Sequence, residues 1–572
     1  MSDEYEVFGD NAMAPFRLKV HRGDGAILLA MDWRNGQPPN DFAGFAIEYR
    51  EPDGDRFYAI KNRLSFPKAD GSVGRESVSS LLAPIQLFRW AHFPRNAAKP
   101  GLFTYRITPL FMNTKDELSQ GEPQTVRLDL RRETHPGILN IAFTRGYVSS
   151  QAFNDMFGKG GKFGSLIPVE AKDGLTFDAN RADKDAALQW MGGEAREEIL
   201  AVLDRASSDK LARVRVIAYD LNEPHVMDRL VALGDRLEII IDDSEEHAKS
   251  GSAENSAEQR LKAAHAIVKR QHMGQLQHNK VIIVDGPDER TVVCGSTNFT
   301  WRGLYVQANN AVILKGEKAV KVFGDAFETY WNKETATATA FGKAEAAEWK
   351  PVGSGGVDMR VTFSPHSSQN AALADIAKDM KGTQSSLFFA LAFLYQTAGS
   401  VRQAVTEVAN SDDIYVYGIS DGKIGGIDIQ KPNGIVGELH PDALDQDVPE
   451  PFTKEQLGGR GRTLHHKFVV IDFDKPDARV YTGSYNFSGA ADTDNGENLL
   501  LIRDRKVAVA YMIEALRLCD HYAFRVARDE AKEKGKALAL ARPPRKDGEQ
   551  PWWKRFYTEP RKIKERKLFA GV

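Results

Sequence analysis

Short runs of strand length, broken by turn residues, fill the first part of the chain, and helical spacing takes over only later. Between Leu18 and Leu130 the runs Ala26–Trp33, Gly44–Tyr49 and Leu102–Ile107 have strand length. Turn signals such as Arg34-Asn35-Gly36 and Pro52-Asp53-Gly54 separate them. This spacing predicts an antiparallel sandwich with Trp33 in its core. From Pro136 strands alternate with helices. Arg213–Tyr219 and Leu237–Ile241 read as strands around a helix at Val226–Leu233, an order that implies a parallel or mixed sheet covered by helices. The order returns from about Met359, with a strand at Ser386–Phe393, a helix containing Gln403–Ala409 and a strand at Asp413–Tyr417. Val281–Val284 and Phe468–Ile471 are short, apolar and rich in β-branched residues, which predicts strands buried on both faces. The expected organisation is a β-sandwich over 1–132, two α/β halves over 133–350 and 351–540, and a tail over 541–572.

Both buried strands open on the same chemistry. His278-Asn279-Lys280 leads through the first apolar run to Asp285 and then to Gly295-Ser296-Thr297-Asn298. His465-His466-Lys467 leads through the second to Asp472 and then to Gly483-Ser484-Tyr485-Asn486. The histidines are 187 positions apart (465 − 278) and the asparagines 188 (486 − 298), so the internal spacing agrees to within one residue. Side chains at i and i+2 share one face of a strand. His278 with Lys280, His465 with Lys467, Ser296 with Asn298 and Ser484 with Asn486 therefore point together. Folding the copies about a pseudo-twofold axis would gather two His, two Lys and two Asn. Two ammonium groups and two amides suit a phosphate oxyanion, with one imidazole to attack phosphorus and the other to protonate the leaving oxygen.

The paired H-x-K-x4-D motif, each copy trailed by G-S-x-N, resembles the signature of the phospholipase D superfamily from about Pro136 to the C-terminus. The resemblance implies a duplicated α-β-α sandwich and a covalent phosphohistidine that water or an alcohol releases. The residues leave the two histidine roles open; the family's usual order makes His278 the nucleophile and His465 the general acid, later base. Lys280 and Lys467 would neutralise the phosphate, Asn298 and Asn486 would bond its oxygens, and Ser296 and Ser484 would assist. Asp285 and Asp472 read as structural anchors of the turns that follow, and His466, facing the other way, as packing or a surface contact. The family often carries a Glu that orients a catalytic imidazole, and Glu497, 11 positions after Asn486, matches it. The same offset after Asn298 gives Asn309, so the first copy has an amide where the second has a carboxylate. The N-terminal sandwich resembles a fibronectin type III or immunoglobulin-like module, in which Arg22-Gly23-Asp24 reads as a turn.

Composition narrows the function. With 42% hydrophobic and 27% charged residues, mean hydropathy −0.42 and pI about 6.5, the chain reads as an ordinary globular protein. Its net charge of −3 provides no global basic field for nucleic acid. Cys294 and Cys519 suggest no disulfide framework, and Cys294, in an apolar strand, reads as a buried small residue. No apolar run reaches membrane-spanning length and the acidic N-terminus lacks signal-peptide features, so the cytoplasm is expected, with signal-independent export left open. The sequons at Asn298 and Asn486 read as incidental. The polar segment 242–258 reads as a surface excursion or lid, and 421–457 as its counterpart; Gly158–Gly164 reads as a plain basic loop. The basic tail with Trp552-Trp553 reads first as aromatics packed on the catalytic halves with solvated charges, and second as a membrane or nucleic-acid surface. No metal-ligand spacing appears and two lysines would repel a cation, so no cofactor or metal is expected. The leading expectation is a phospholipase D acting on phospholipid, completed within one chain so that no dimer is required. A nuclease using Trp301-Arg302 and a binding protein using the sandwich are the alternatives.

Overall fold

The computed structural model describes residues 5–572 apart from 75, 95, 131–132, 147–152, 154–156, 158–165, 169–170, 177–181, 395–398, 422–426, 431–435, 440–463, 534 and 536. The basic loop at Gly158–Gly164 and most of 421–457 lie outside the described residues.

The N-terminal region is rich in β-sheet. One antiparallel sheet runs in the order Glu6–Phe8, Phe16–Arg22, Ile27–Trp33, Arg89–His92. The other runs Leu118–Gln120, Leu102–Met112, Phe42–Arg50, Tyr58–Ala59, with Gln124–Asp129 also on Leu102–Met112. Phe16, Leu18, Leu29, Met31 and Trp33 meet Phe42, Phe45, Tyr105 and Ile107 in a shared core. Ile27–Trp33 looks almost continuously apolar because both its faces are covered: Leu28 and Ala30 point into the core of the α/β region instead. Arg22-Gly23-Asp24 is a tight turn in which the Gly23 amide donates to Ala26 O at 2.8 Å. Asp24 accepts from the Thr134 hydroxyl at 2.7 Å, which ties the two regions together.

Two mixed sheets follow, and six consecutive strands of each run in the same order. The first is Leu139–Phe143, Asn310–Lys315, Arg290–Gly295, Lys280–Asp285, Arg213–Ala218, Leu237–Ile241, Ile267–Arg270. The second is Lys350–Pro351, Asp358–Ser364, Glu497–Arg503, Arg479–Gly483, Lys467–Ile471, Ser386–Leu391, Tyr415–Asp421, Ile427–Gln430, Val436–Leu439. In each, antiparallel ladders lead to one parallel pair, Arg213–Ala218 with Leu237–Ile241 and Ser386–Leu391 with Tyr415–Asp421. Beyond that pair the halves diverge: Ile267–Arg270 continues parallel, whereas Ile427–Gln430 turns back antiparallel. The motif strands are buried on both faces as expected. Phe468 and Val470 face the main core, and Val469 and Ile471 the layer under helices Leu373–Lys381 and Ser400–Ala409.

Two expectations change. The polar stretch 242–258 is not a loop. It holds helix Glu245–Ala248 and the start of helix Ala253–Ala263, whose N-cap Ser252 accepts from the Asn255 amide. Asp242, His247 and Glu254 within it are buried, which composition does not reveal. The tail packs on the N-terminal sandwich as well as on the second α/β half, where Phe569 meets Phe388, Tyr415 and Phe473. Trp553 and Phe556 join the sandwich core, and Trp552 stacks on Phe88 with ring centroids 5.5 Å apart. The Trp552 and Trp553 indoles donate to Phe42 O and Pro39 O, and Arg566 pairs with Asp32, so these groups are not a free surface. Among the described residues no helix is long and apolar enough to cross a membrane.

Candidate active site

The two halves meet where their motif strands begin. Gln277 bridges to Gly496 and Leu464 to Ala308, two equivalent short parallel pairings across the pseudo-twofold axis. Each bridge brings a histidine against the next residue of the other half. His278 Nδ1 lies 2.8 Å from Glu497 Oε2, and His465 Nδ1 lies 2.8 Å from Asn309 Oδ1. Both partners accept here, so Nδ1 carries the proton and Nε2 is left for chemistry. The exchange continues one residue on: Asn498 donates to Asn279 at 2.8 Å, and Asn310 lies 3.4 Å from His466. Each half thus orients the histidine of the other.

His278, Lys280, His465 and Lys467 are all buried. Lys280 donates to His278 O, and Lys467 donates to His465 O at 2.8 Å, so each ammonium is pinned beside its own histidine. Burial pushes the His278 imidazole below its ordinary value against the pull of Glu497. His465 is driven well down by burial and by the charges of Lys467, Lys280 and His278, with no carboxylate to resist. Burial lowers the Lys280 ammonium to about 8 against Glu497, Asp220 and Asp242. Groups from both halves therefore share one electrostatic neighbourhood. Asn298 Oδ1, Asn486 Oδ1 and Glu497 Oε1 are buried without a hydrogen-bond partner. Unpartnered buried polar atoms are uncommon enough to mark a place built for a ligand.

The remaining motif residues divide differently from expectation. Ser296 donates to Asn309 Oδ1 at 2.9 Å and accepts from the Asn310 amide at 3.0 Å; Ser484 accepts from the Asn498 amide at 3.0 Å. These hydroxyls hold the orienting residues. Asp472 is buried and accepts from the amides of Gln384, Ser385 and Ser386, so it anchors the start of the neighbouring strand rather than the turn that follows. Asp285 is exposed, 3.6 Å from Arg290, and Asp209 does the anchoring from the opposite side by accepting from the Asp288 amide at 3.1 Å. His466 is buried and pairs with Glu514 at 2.9 Å. Trp301 is buried in the main core, which removes it as a platform for stacking bases. Burial raises the Cys294 thiol, as suits a core residue.

Sequence reasoning missed the group beside Asn298. Its amide donates to Asp220, and Asp220 meets His247 at 2.7 Å. Tyr219 stands edge-on to His278 with centroids 4.6 Å apart, and Lys280 Nζ lies 4.7 Å from its ring centroid. The only signal was position, since Tyr219-Asp220 directly follows the strand that pairs with the motif strand.

A family model described as cardiolipin synthase, PLD-like domain, matches residues 199–331 and 376–518. Phospholipase D of Rickettsia prowazekii is 48% identical over 48 residues, 8% of this chain and 22% of the relative; that of Rickettsia felis is 46% identical over the same length. The match thus spans about a fifth of those curated relatives (22%). Among solved structures, the phospholipase D family member Nuc from Salmonella typhimurium is 29% identical over 24% of this chain and 88% of its own, with TM-score 0.21. Phosphatidylserine synthase of Haemophilus influenzae is 14% identical over 66% and 93%, with TM-score 0.39. The two segments matched by the family model hold one motif each, which supports a place for the chain in the phospholipase D superfamily.

Proposed function

We propose that the chain is a metal-independent phosphodiesterase that works through a phosphohistidine, and that its substrate is a phospholipid. The observation that carries this reading is the reciprocal orientation of His278 by Glu497 and of His465 by Asn309, with two lysines buried beside them. His278 Nε2 attacks phosphorus, and the bond to the leaving oxygen breaks as His465 Nε2 gives that oxygen its proton. Water then attacks, His465 takes its proton, and the P–N bond breaks. The phosphorylated His278 ring is cationic, and the Glu497 carboxylate on Nδ1 stabilises it. That favours His278 over His465 as nucleophile, because His465 has only an amide. His465 is neutral in the free protein, and the phosphate anion of a bound substrate offsets Lys467 and Lys280 and lets it hold the proton it must give. Lys280, Lys467, Asn298 and Asn486 hold the non-bridging oxygens. Phospholipid is favoured over nucleic acid by the net charge of −3, by the likeness to the cardiolipin synthase family model and to the phospholipase D relatives, and by the burial of Trp301.

The test is purified protein in EDTA with phospholipid vesicles and, separately, labelled single- and double-stranded DNA. His465→Asn serves as control. Head-group release lost in the variant is the expected result. Cleavage of DNA alone overturns the substrate, and activity that EDTA abolishes overturns the mechanism.

A further inference from the structure

The first half carries an ionic group that has no counterpart among the described residues of the second. His247, on the short helix Glu245–Ala248, is buried and places both ring nitrogens against carboxylates: Nε2 on Asp220 Oδ1 and Nδ1 on Asp242 Oδ2, each at 2.7 Å. The far sides of these carboxylates reach the site. Asp220 Oδ2 accepts from the Asn298 amide. Asp242 Oδ1 accepts from the backbone amide of Gln277, the residue before His278, at 2.6 Å. The Tyr219 ring fills the space between, edge-on to His247 at 4.7 Å and to His278 at 4.6 Å. Register gives the comparison. Ala218 pairs with Lys280 and Leu391 with Lys467, so Tyr219-Asp220 corresponds to Ala392-Phe393. An apolar pair stands where the first half has an acid.

Resting on the phosphodiesterase reading, we propose that His247 is a positioning residue: its imidazolium clamps Asp220 and Asp242, and through them fixes the Asn298 amide and the backbone leading into His278. Two acids this near each other and Glu254 would repel without a cation between them. Burial works against a charged ring, but the bonds to Asp220 and Asp242 outweigh it and hold His247 up at about 10. The groups facing it are Asp220, Asp242, Glu254 and Tyr219, with Lys280 and His278 beyond. Asp220, His247 and Glu254 also offer ligand-type atoms within 4.8 Å of one another, the spacing of a metal site. A metal there would have to displace a ring proton already shared with a carboxylate at 2.7 Å, so the geometry favours the proton.

The experiment compares wild type, His247→Gln, His247→Arg and, as control, His272→Gln, which alters a half-exposed histidine paired with Asp243 nearby. Each is assayed on vesicles, DNA and bis(p-nitrophenyl) phosphate. His247→Gln should lower kcat by about ten- to a hundredfold with KM changed much less, and His247→Arg, which can bridge two carboxylates, should recover most of it. His272→Gln should match wild type. Independently, nitrogen NMR of the wild-type histidines at pH 8 should show both ring nitrogens of His247 protonated, and the His278 signals should move in His247→Gln but not in His272→Gln. An active His247→Gln, or a neutral His247 ring at pH 8, overturns the proposal. If wild type cleaves none of the substrates, the phosphodiesterase reading fails, and the NMR result alone decides whether His247 positions His278. Loss of the His247 ring proton on adding zinc at stoichiometric amounts would overturn the clamp in favour of a metal.

Discussion

Glu497→Gln removes one charge and almost no volume, so it isolates what the carboxylate does for His278. Oε2 lies 2.8 Å from Nδ1. With the charge centres roughly 4 Å apart and an effective dielectric of about 20, attraction to a cationic ring is about 4 kcal/mol. The glutamine oxygen still accepts the Nδ1 proton, which preserves the tautomer and about 1 kcal/mol of hydrogen bonding. About 3 kcal/mol is then lost from the phosphorylated ring and little from the neutral one, which slows phosphoenzyme formation by about 150-fold. KM should stay within about threefold, because the ground state does not use that charge. Stability should hold or rise, since the variant removes a buried charge whose Oε1 has no partner. The assay is rapid-quench trapping of labelled phosphoenzyme on vesicles carrying labelled phospholipid, beside a melting curve. A variant that melts like wild type and forms phosphoenzyme within about threefold of its rate would refute the role given to Glu497 and the choice of His278 as nucleophile.

Other outcomes follow from the same geometry. Lys280 titrates near 8 in the free protein, so kcat/KM should fall about tenfold per unit as pH rises above that value, while kcat holds to higher pH because bound phosphate favours the ammonium. Half-buried His92, held down to about 4 by its removal from solvent, and His278, His465 and His466, all lowered by burial, refuse protons that the unfolded chain accepts below about 6.5. Their contribution is therefore whole above that pH and is lost as pH falls through it, which melting curves from pH 7 to 4 would show as a declining Tm. Phe569 packs against Phe388, Tyr415 and Phe473, so Phe569→Ala should cost about 3–5 kcal/mol in urea unfolding while kcat per folded molecule stays unchanged.

The paired site was legible because strand alternation fixes which motif residues share a face, and because it occurs twice. The offset that matched Glu497 with Asn309 picks out two residues that each lie 2.8 Å from Nδ1 of a motif histidine. The sequence could not say that each would serve the opposite half, since that depends on a bridge between Gln277 and Gly496. Asp285 and Asp472 show the limit of a motif letter. The same residue type at the same offset is exposed in one half and buried as an anchor in the other, because neighbouring turns differ in length and supply different donors. The clamp of Asp220, Asp242 and His247 joins the ends of two strands and a four-residue helix, and no local periodicity reports such a meeting. The sandwich was readable from its turns, but the apolar Ile27–Trp33 gave no hint that its second face belongs to another core.

The tail fitted into the sandwich sets the order in which the protein can be completed. The Trp552 indole reaches Phe42 O across 510 positions of chain. At about 5–20 residues per second, a ribosome needs roughly 25–100 s to cover that distance. Throughout that interval the nascent sandwich shows Phe42 and Phe88 to whatever is nearby, while both catalytic halves are still emerging. The sandwich, synthesised before both halves, is therefore among the last regions to close, and a transcript broken late would yield a chain holding both motifs but with an aromatic face open to chaperones and proteases.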